Sequence, residues 1–108
     1  MATLDEKTEF IHSLYQLHQA CTAKANDGSL TSDQRSVFLT AVIYLNSDIG
    51  KAWNRDFSPI PSNLVHFAIK EIIQAVAATS AAHNETTVHI AAKELWDANT
   101  AIDQVLAG

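Results

Sequence analysis

Three breaks divide this sequence into four segments of nearly equal length and limit its fold more than any other feature. The sequence Asn-Asp-Gly-Ser at 26–29 is typical of a turn, and its glycine can end a helix. Two prolines within 57–61 disfavour a helix at and before themselves. A weaker break lies at 83–86, where Asn84 is suited to begin a helix as its N-cap.

The segments between these breaks have the apolar spacing of α-helices. Apolar residues recur at intervals of three and four, which gives each segment one apolar stripe. A Thr-x-x-Gln capping box at 31–34 marks the start of the second segment. The pattern predicts helices near 4–25, 32–54, 62–82 and 86–106. Each would be about 32 Å long at the usual rise per residue.

Four helices of this length predict an all-α fold, an up-down-up-down antiparallel four-helix bundle. The 108 residues suit one helical-bundle domain, 1–108. An all-β domain would need more turn signals than 3 glycines and 2 prolines supply. An alternative has helix 2 bent at Gly50, which gives five shorter helices.

The charge of the chain excludes one class of partner, and its lone cysteine indicates a compartment. The net charge is −5 and no lysine–arginine stripe is present, so we expect no nucleic-acid partner. The longest uncharged runs, 36–47 and 72–84, fall short of the roughly 18 residues that indicate a membrane span. Residues 1–7 do not have the pattern of a secretion signal. A lone cysteine, Cys21, fits the cytoplasm, where we expect the protein to act.

Large apolar residues that lie off the predicted stripes suggest contact with another chain. Leu39 and Ile43, four residues apart, make helix 2 apolar over most of its circumference. Either the 55–61 connection covers this face or a second chain does, and the second reading predicts a homo-oligomer. Phe67 lies opposite the stripe of helix 3 and is a further candidate for partner binding.

The segment 53–61 offers a second candidate surface for a protein partner. It contains Trp53, Arg55 and Phe57, and tryptophan and arginine are enriched at binding hot spots. Its two prolines make it stiff, so it would lose little entropy on binding. In the alternative reading, Trp53 and Phe57 plug the end of the bundle.

A metal site is an alternative hypothesis for the histidines. In an antiparallel bundle, the ends of helices 1 and 3 and the start of helix 4 share one end of the molecule. His18, Cys21, His83 and His89 would then converge, and imidazole and thiolate suit zinc or copper. The same histidines would also serve as caps at helix ends, and their spacing matches no strong metal motif.

A ligand cavity on helix 4 is the other alternative. Asn99 falls in the middle of the apolar stripe, where a buried amide is costly unless it is paired. Thr79 and Ser80 are candidate partners, and a ligand is the functional one. Alanine-rich stretches of helices 3 and 4 either pack closely or leave space for a flat ligand beside Trp96.

No sequence motif of catalysis is present. The chain has no glycine-rich phosphate loop, no Gly-x-Ser-x-Gly and no His-Glu-x-x-His. We therefore predict a non-enzymatic interaction module without a cofactor, which binds a protein partner, itself, or both. The alternative is a helical bundle that binds a small molecule or a metal.

Overall fold

Four α-helices make up most of the protein in a computed structural model, which describes residues 1–107. They are Leu4–Ala25 (α1), Ser32–Asn54 (α2), Ser62–Ala81 (α3) and Glu85–Ala107 (α4). No strand occurs among residues 1–107. The predicted all-α four-helix bundle is confirmed, and no predicted helix bound differs from the observed one by more than one residue. Because α2 runs unbroken through Gly50, the five-helix alternative is wrong.

Side-chain caps explain why the helices begin where they do. At α2 the predicted capping box is present: Thr31 Oγ1 accepts a hydrogen bond from Gln34 N, and Gln34 Oε1 accepts one from Thr31 N. Before α4, Asn84 Oδ1 accepts from Thr87 N at 2.9 Å, as predicted for an N-cap. Helix α3 begins after Pro61 without a side-chain cap.

The order in which the helices surround the core could not be read from the sequence. Helix α1 packs against α2 and α3, and α3 also packs against α4, whereas α2 and α4 make far fewer contacts. Helices α2 and α3 do not contact each other, so they lie across the diagonal of the bundle. The direction of the chain alternates as predicted. Consequently α1 runs parallel to its neighbour α3, and α2 runs parallel to α4.

Two lysines of α1 secure the two ends of the bundle, which measures 43 × 20 × 19 Å. At one end, Lys7 Nζ donates to the carbonyl oxygens of Arg55, at 2.7 Å, and Trp53, at 3.2 Å. At the other end, Lys24 Nζ donates to Ala82 O at 2.6 Å. Each ammonium thus pairs with carbonyls at the C-terminal end of another helix, where the helix dipole favours a positive charge.

The core consists of the predicted stripes together with part of the second connection. Phe57 and Ile60, between α2 and α3, are both buried, and the ring of Phe57 packs 5.5 Å from that of Phe10. The largest fully buried apolar side chains come from all four helices: Phe10, Leu14, Leu17, Phe38, Leu45, Val65, Ile72, Ile102 and Val105.

By length and composition, one helix, Ser62–Ala81, is apolar enough to cross a membrane, with a mean hydropathy of 1.2 over its best window. A single helix of this kind is weak evidence, because helices in the core of soluble bundles meet the same criterion. Lys70 and Glu71 lie in the middle of this helix.

Candidate functional site

The loosely packed seam between α2 and α4 forms the candidate site, which we call the α2/α4 groove. Its larger pocket has a volume of about 410 Å³ and adjoins a second pocket of about 220 Å³ near the first turns of both helices. Val37 and Ala92 line both pockets, so the groove is continuous. The larger pocket is lined chiefly by Val37, Thr40, Tyr44, Leu95, Trp96 and Asn99.

The groove arises because the residues that face it are spaced by three or four along each helix. Val37, Thr40 and Tyr44 lie one turn apart on α2 and stand beside its core stripe. On α4 the small side chain of Ala92 leaves space, and Leu95 supplies a buried apolar floor. Trp96 stands at the rim with 72% of its surface exposed.

The two residues predicted to line a ligand cavity, Trp96 and Asn99, do meet in this groove. The half-buried Asn99 does not pair with Thr79, one of its two predicted partners, because the Thr79 hydroxyl is fully buried elsewhere and makes no hydrogen bond to it. The other predicted partner, Ser80, is exposed. Asn99 therefore lines the groove and is not paired with either predicted partner.

Asp48 on α2 is a buried acid that the sequence pattern did not single out. It follows Tyr44 by one helical turn and is only 5% exposed, and its Oδ2 has no hydrogen-bond partner among residues 1–107. Burial, reinforced by the carboxylate of Asp103 and opposed by Lys51, raises the pKa of the Asp48 carboxyl to about 6. Its spacing of three from Leu45 marks it as a stripe position, which was the available signal.

Asp103 brings a second carboxylate near Tyr44. It follows Asn99 by one turn of α4, as Asp48 follows Tyr44 on the parallel helix α2. Burial raises the pKa of the Tyr44 phenol, and Cys21, Asp48 and Asp103 raise it further. Asp48 and Asp103 thus both lie near Tyr44, and Lys51 lies near Asp48.

Leu39 and Ile43, predicted to bind a partner, are 52% and 65% exposed on the outer side of α2. The 55–61 connection does not cover them, so that alternative is wrong. Phe67 is also exposed, but it lies on α3, across the diagonal from α2. Phe67 therefore does not share one surface with Leu39 and Ile43.

The segment 53–61 divides between core and surface. Phe57 is 3% exposed, so it packs inside the end of the bundle and offers no surface to a partner. The diagonal course of the connection turns this ring into the core against Phe10. Trp53, by contrast, is exposed and donates from Nε1 to Tyr15 Oη at 3.2 Å. Arg55 is half-buried.

The predicted metal ligands share one end of the bundle but do not converge. Cys21 faces the core, where burial raises the pKa of its thiol to about 12 and the neighbouring Thr79 hydroxyl slightly opposes the rise. His18 is half-buried, while His83 and His89 are exposed. The ring nitrogens of His83 lie within hydrogen-bond distance of Ala81 O and Asn84 Nδ2. Within residues 1–107, no three His, Cys, Asp or Glu side chains are grouped to hold a metal ion.

Comparison with protein-family models, with curated proteins and with solved structures gave no match. The surface of the bundle is therefore the basis on which a function can be argued.

Proposed function

We propose that this chain is a non-enzymatic interaction module of the cytoplasm, which binds a protein partner in the α2/α4 groove. The observation that supports this proposal is the combination of an apolar floor with an exposed tryptophan at the rim. Tryptophan is a common anchor of protein interfaces, and a groove between two helices suits an amphipathic helix of a partner. An exposed apolar surface of this kind typically marks an interaction site.

The dimensions of the groove also favour a protein segment. It extends from Asp33 to Tyr44 on α2 and from Glu85 to Asn99 on α4. At the usual rise per residue this is about 16–21 Å, or three to four turns of a docked helix. The one thiol of the chain, Cys21, is sealed in the core and is not available as a nucleophile.

Site-specific photo-crosslinking in cells that naturally produce the protein tests this proposal. A photoreactive phenylalanine analogue at Trp96 should crosslink to one discrete partner protein, because that side chain stands at the rim of the groove. The matched control carries the same analogue at Ile73, an exposed apolar residue on α3. Absence of any protein crosslink at Trp96, or identical products at both positions, would contradict the proposal.

Self-association through the outer side of α2 is the second part of the proposal. Leu39 and Ile43 are exposed and four residues apart, which suits an isologous helix contact between two copies. We expect native mass spectrometry to show a dimer or larger oligomer, and Leu39→Asp with Ile43→Asp to give a folded monomer. Phe67→Asp, at an exposed residue of the diagonal helix, is the control and should leave the mass unchanged. A monomeric wild type would refute this part.

A small-molecule carrier is the second candidate function, supported by the meeting of Trp96 and Asn99 in one pocket. The volume of about 410 Å³ falls in the range of ligand sites, roughly 300–1,000 Å³. The same native mass spectrum distinguishes the two functions. A non-protein adduct that disappears in Trp96→Ala would support the carrier, whereas a bare protein mass argues against it.

A further inference from the structure

We propose that two copies of this chain associate through the outer side of α2 as an antiparallel pair of helices, with the two-fold axis at Ile43 and with Asp33 of each copy beside Lys51 of the other. This inference rests on the proposed self-association and specifies the geometry of the contact. It is carried by the pattern of apolar, small and charged residues on the exposed side of α2.

The outer side of α2 carries no charge along its centre over the full length of the helix. Each residue of an α-helix is turned by about 100° from the one before it, so the side chains within about 40° of Ile43 form one strip. Besides Ile43, this strip consists of exposed residues that are not ionisable: Ser32, Ser36, Leu39, Ser47, Gly50 and Asn54. Two copies with a net charge of −5 repel each other least where they meet through such an uncharged strip.

The strip is also complementary in size to a second copy of itself. Ile43 is the middle residue of α2, and a two-fold axis at Ile43 pairs residues that are equally far from it along the helix. The bulky Leu39 of one copy then faces the small Ser47 of the other, and Ser36 faces Gly50. A Cβ added at Gly50 would meet nothing within 4 Å among residues 1–107, so this glycine leaves room for a second helix to approach.

Asp33 and Lys51, at the edge of the strip, are complementary in the same arrangement. Both are exposed, lie about 80° from Ile43 on the side of α2 next to α4, and stand near opposite ends of the helix. The two-fold axis brings Asp33 of each copy to within about 3 Å, measured along the helix, of Lys51 of the other. Neither residue makes a salt bridge within residues 1–107, although Lys51 lies near the buried Asp48. The contact would thus contain two ion pairs.

The free charges favour the antiparallel over the parallel direction. In a parallel pair, Asp33 would lie beside Arg35 of the other copy, whose guanidinium already donates to Leu30 O at 2.9 Å. Parallel packing also places like ends of the two helix dipoles together, whereas antiparallel packing places opposite ends together. Lys51 of the second copy is therefore the better partner for Asp33.

The exposed side of α3 is less suited to such a contact. Its apolar residues Phe67 and Ile73 lie on either side of Lys70, which is also exposed. A two-fold axis there would bring the two copies of Lys70 together, and their like charges would oppose association. The uncharged strip therefore distinguishes α2 from α3 as the helix that meets its own copy.

Disulfide crosslinking tests the register of the two helices. Ile43→Cys should give a disulfide-linked dimer on oxidation with diamide, because the two-fold axis brings the two thiols together. Leu39→Cys is the matched control and should not crosslink to itself, because its two thiols would lie about 12 Å apart along the contact. A mixture of Leu39→Cys with Ser47→Cys should crosslink. The wild type should give no crosslink, because Cys21 is buried.

Exchange of the charges at Asp33 and Lys51 tests the ion pairs. Asp33→Lys makes both pairs repulsive, so the dissociation constant of the dimer should rise about tenfold in sedimentation equilibrium at low salt. Adding Lys51→Asp should restore the wild-type value, since both pairs are then reversed. Glu9→Lys, at an exposed residue of α1, makes the same change in net charge and should not weaken the dimer. Circular dichroism should show that each variant remains helical.

These experiments distinguish a wrong geometry from the absence of self-association. A crosslink of Leu39→Cys to itself, no crosslink of Ile43→Cys, or no recovery when Lys51→Asp is added would overturn the antiparallel geometry. Self-association would still stand in each of these cases if the wild type is a dimer that Leu39→Asp with Ile43→Asp dissociates. A monomeric wild type would overturn both.

Discussion

At the scale of single residues, Asp48 is the side chain whose environment conflicts most with its chemistry. It occupies a position that its helical spacing assigns to the core stripe, yet it carries a carboxyl group. Tyr44 precedes it by one turn, and the exposed Asp103 of α4 lies near enough to raise its pKa. Buried groups of this kind are concentrated at functional sites, and they lower the stability of the free protein.

Asp48 makes the stability of the protein depend on pH in a defined direction. Its pKa is about 6 in the folded protein and about 4 in an unfolded chain, so the folded state binds more protons between these values. The free energy of unfolding should therefore fall as pH rises from about 4 to about 6. Asp48→Asn should flatten this fall and raise the free energy of unfolding at pH 7 by roughly 1–3 kcal/mol. Urea unfolding measured across this pH range checks the prediction.

The exposed acid Glu9 provides the control for this measurement, since Glu9→Gln should leave the pH dependence as in the wild type. A wild-type stability that rises between pH 4 and 6 would contradict the assignment to Asp48. So would a fall that persists in Asp48→Asn. The same substitution is expected to stabilise the protein at neutral pH, because it removes a buried negative charge.

At the scale of the helices, their bounds were predictable and their neighbours were not. Local signals, such as Thr31 with Gln34 and Asn84 with Thr87, determine where α2 and α4 begin. The choice of neighbour depends on how the 55–61 connection crosses the end of the bundle, which is a tertiary property. The burial of Phe57 follows from that crossing, and for this reason the sequence left two readings of it open.

The sequence likewise predicted only part of the candidate site. Trp96 and Asn99 could be named from their positions on α4, but their neighbours on α2 could not. The groove exists because α2 and α4 are parallel neighbours in loose contact, and no periodicity within a single helix encodes that relation. The predicted convergence of His18 and His83 failed for a related reason. Sharing one end of a bundle does not fix the direction in which each side chain points.

Lys24 stabilises the bundle by a hydrogen bond to the C-terminal end of α3. Its ammonium group donates to Ala82 O at the C-terminal end of α3, close to where the chain turns into α4. Lys24→Met keeps most of the apolar stem and removes the charge-assisted bond, so it should cost about 1–2 kcal/mol. Thermal unfolding checks this value. Lys70→Met, at an exposed residue of α3, is the control. An equal loss of stability in both variants would contradict the role of the Lys24 hydrogen bond.

At the scale of the whole molecule, the four interfaces of the bundle are unequal. Helices α1 and α3 each pack closely against two neighbours, whereas α2 and α4 each pack closely against one. Regions with fewer packed neighbours open more readily. Native-state hydrogen exchange should therefore show the slowest amides in α1 and α3, and faster exchange in the middle of α2 and α4. Slowest exchange in α2 and α4 would contradict this ranking.

In cross-section, three of the four interfaces between neighbouring helices are closely packed, and the fourth, between α2 and α4, is loosely packed. A partner helix bound in the α2/α4 groove would contact both helices, so α2 and α4 would each gain a second closely packed neighbour. Its binding energy would then also resist unfolding, and the melting temperature would rise with the concentration of the partner. If a partner binds as proposed, the complex is more stable than the free chain by the free energy of binding.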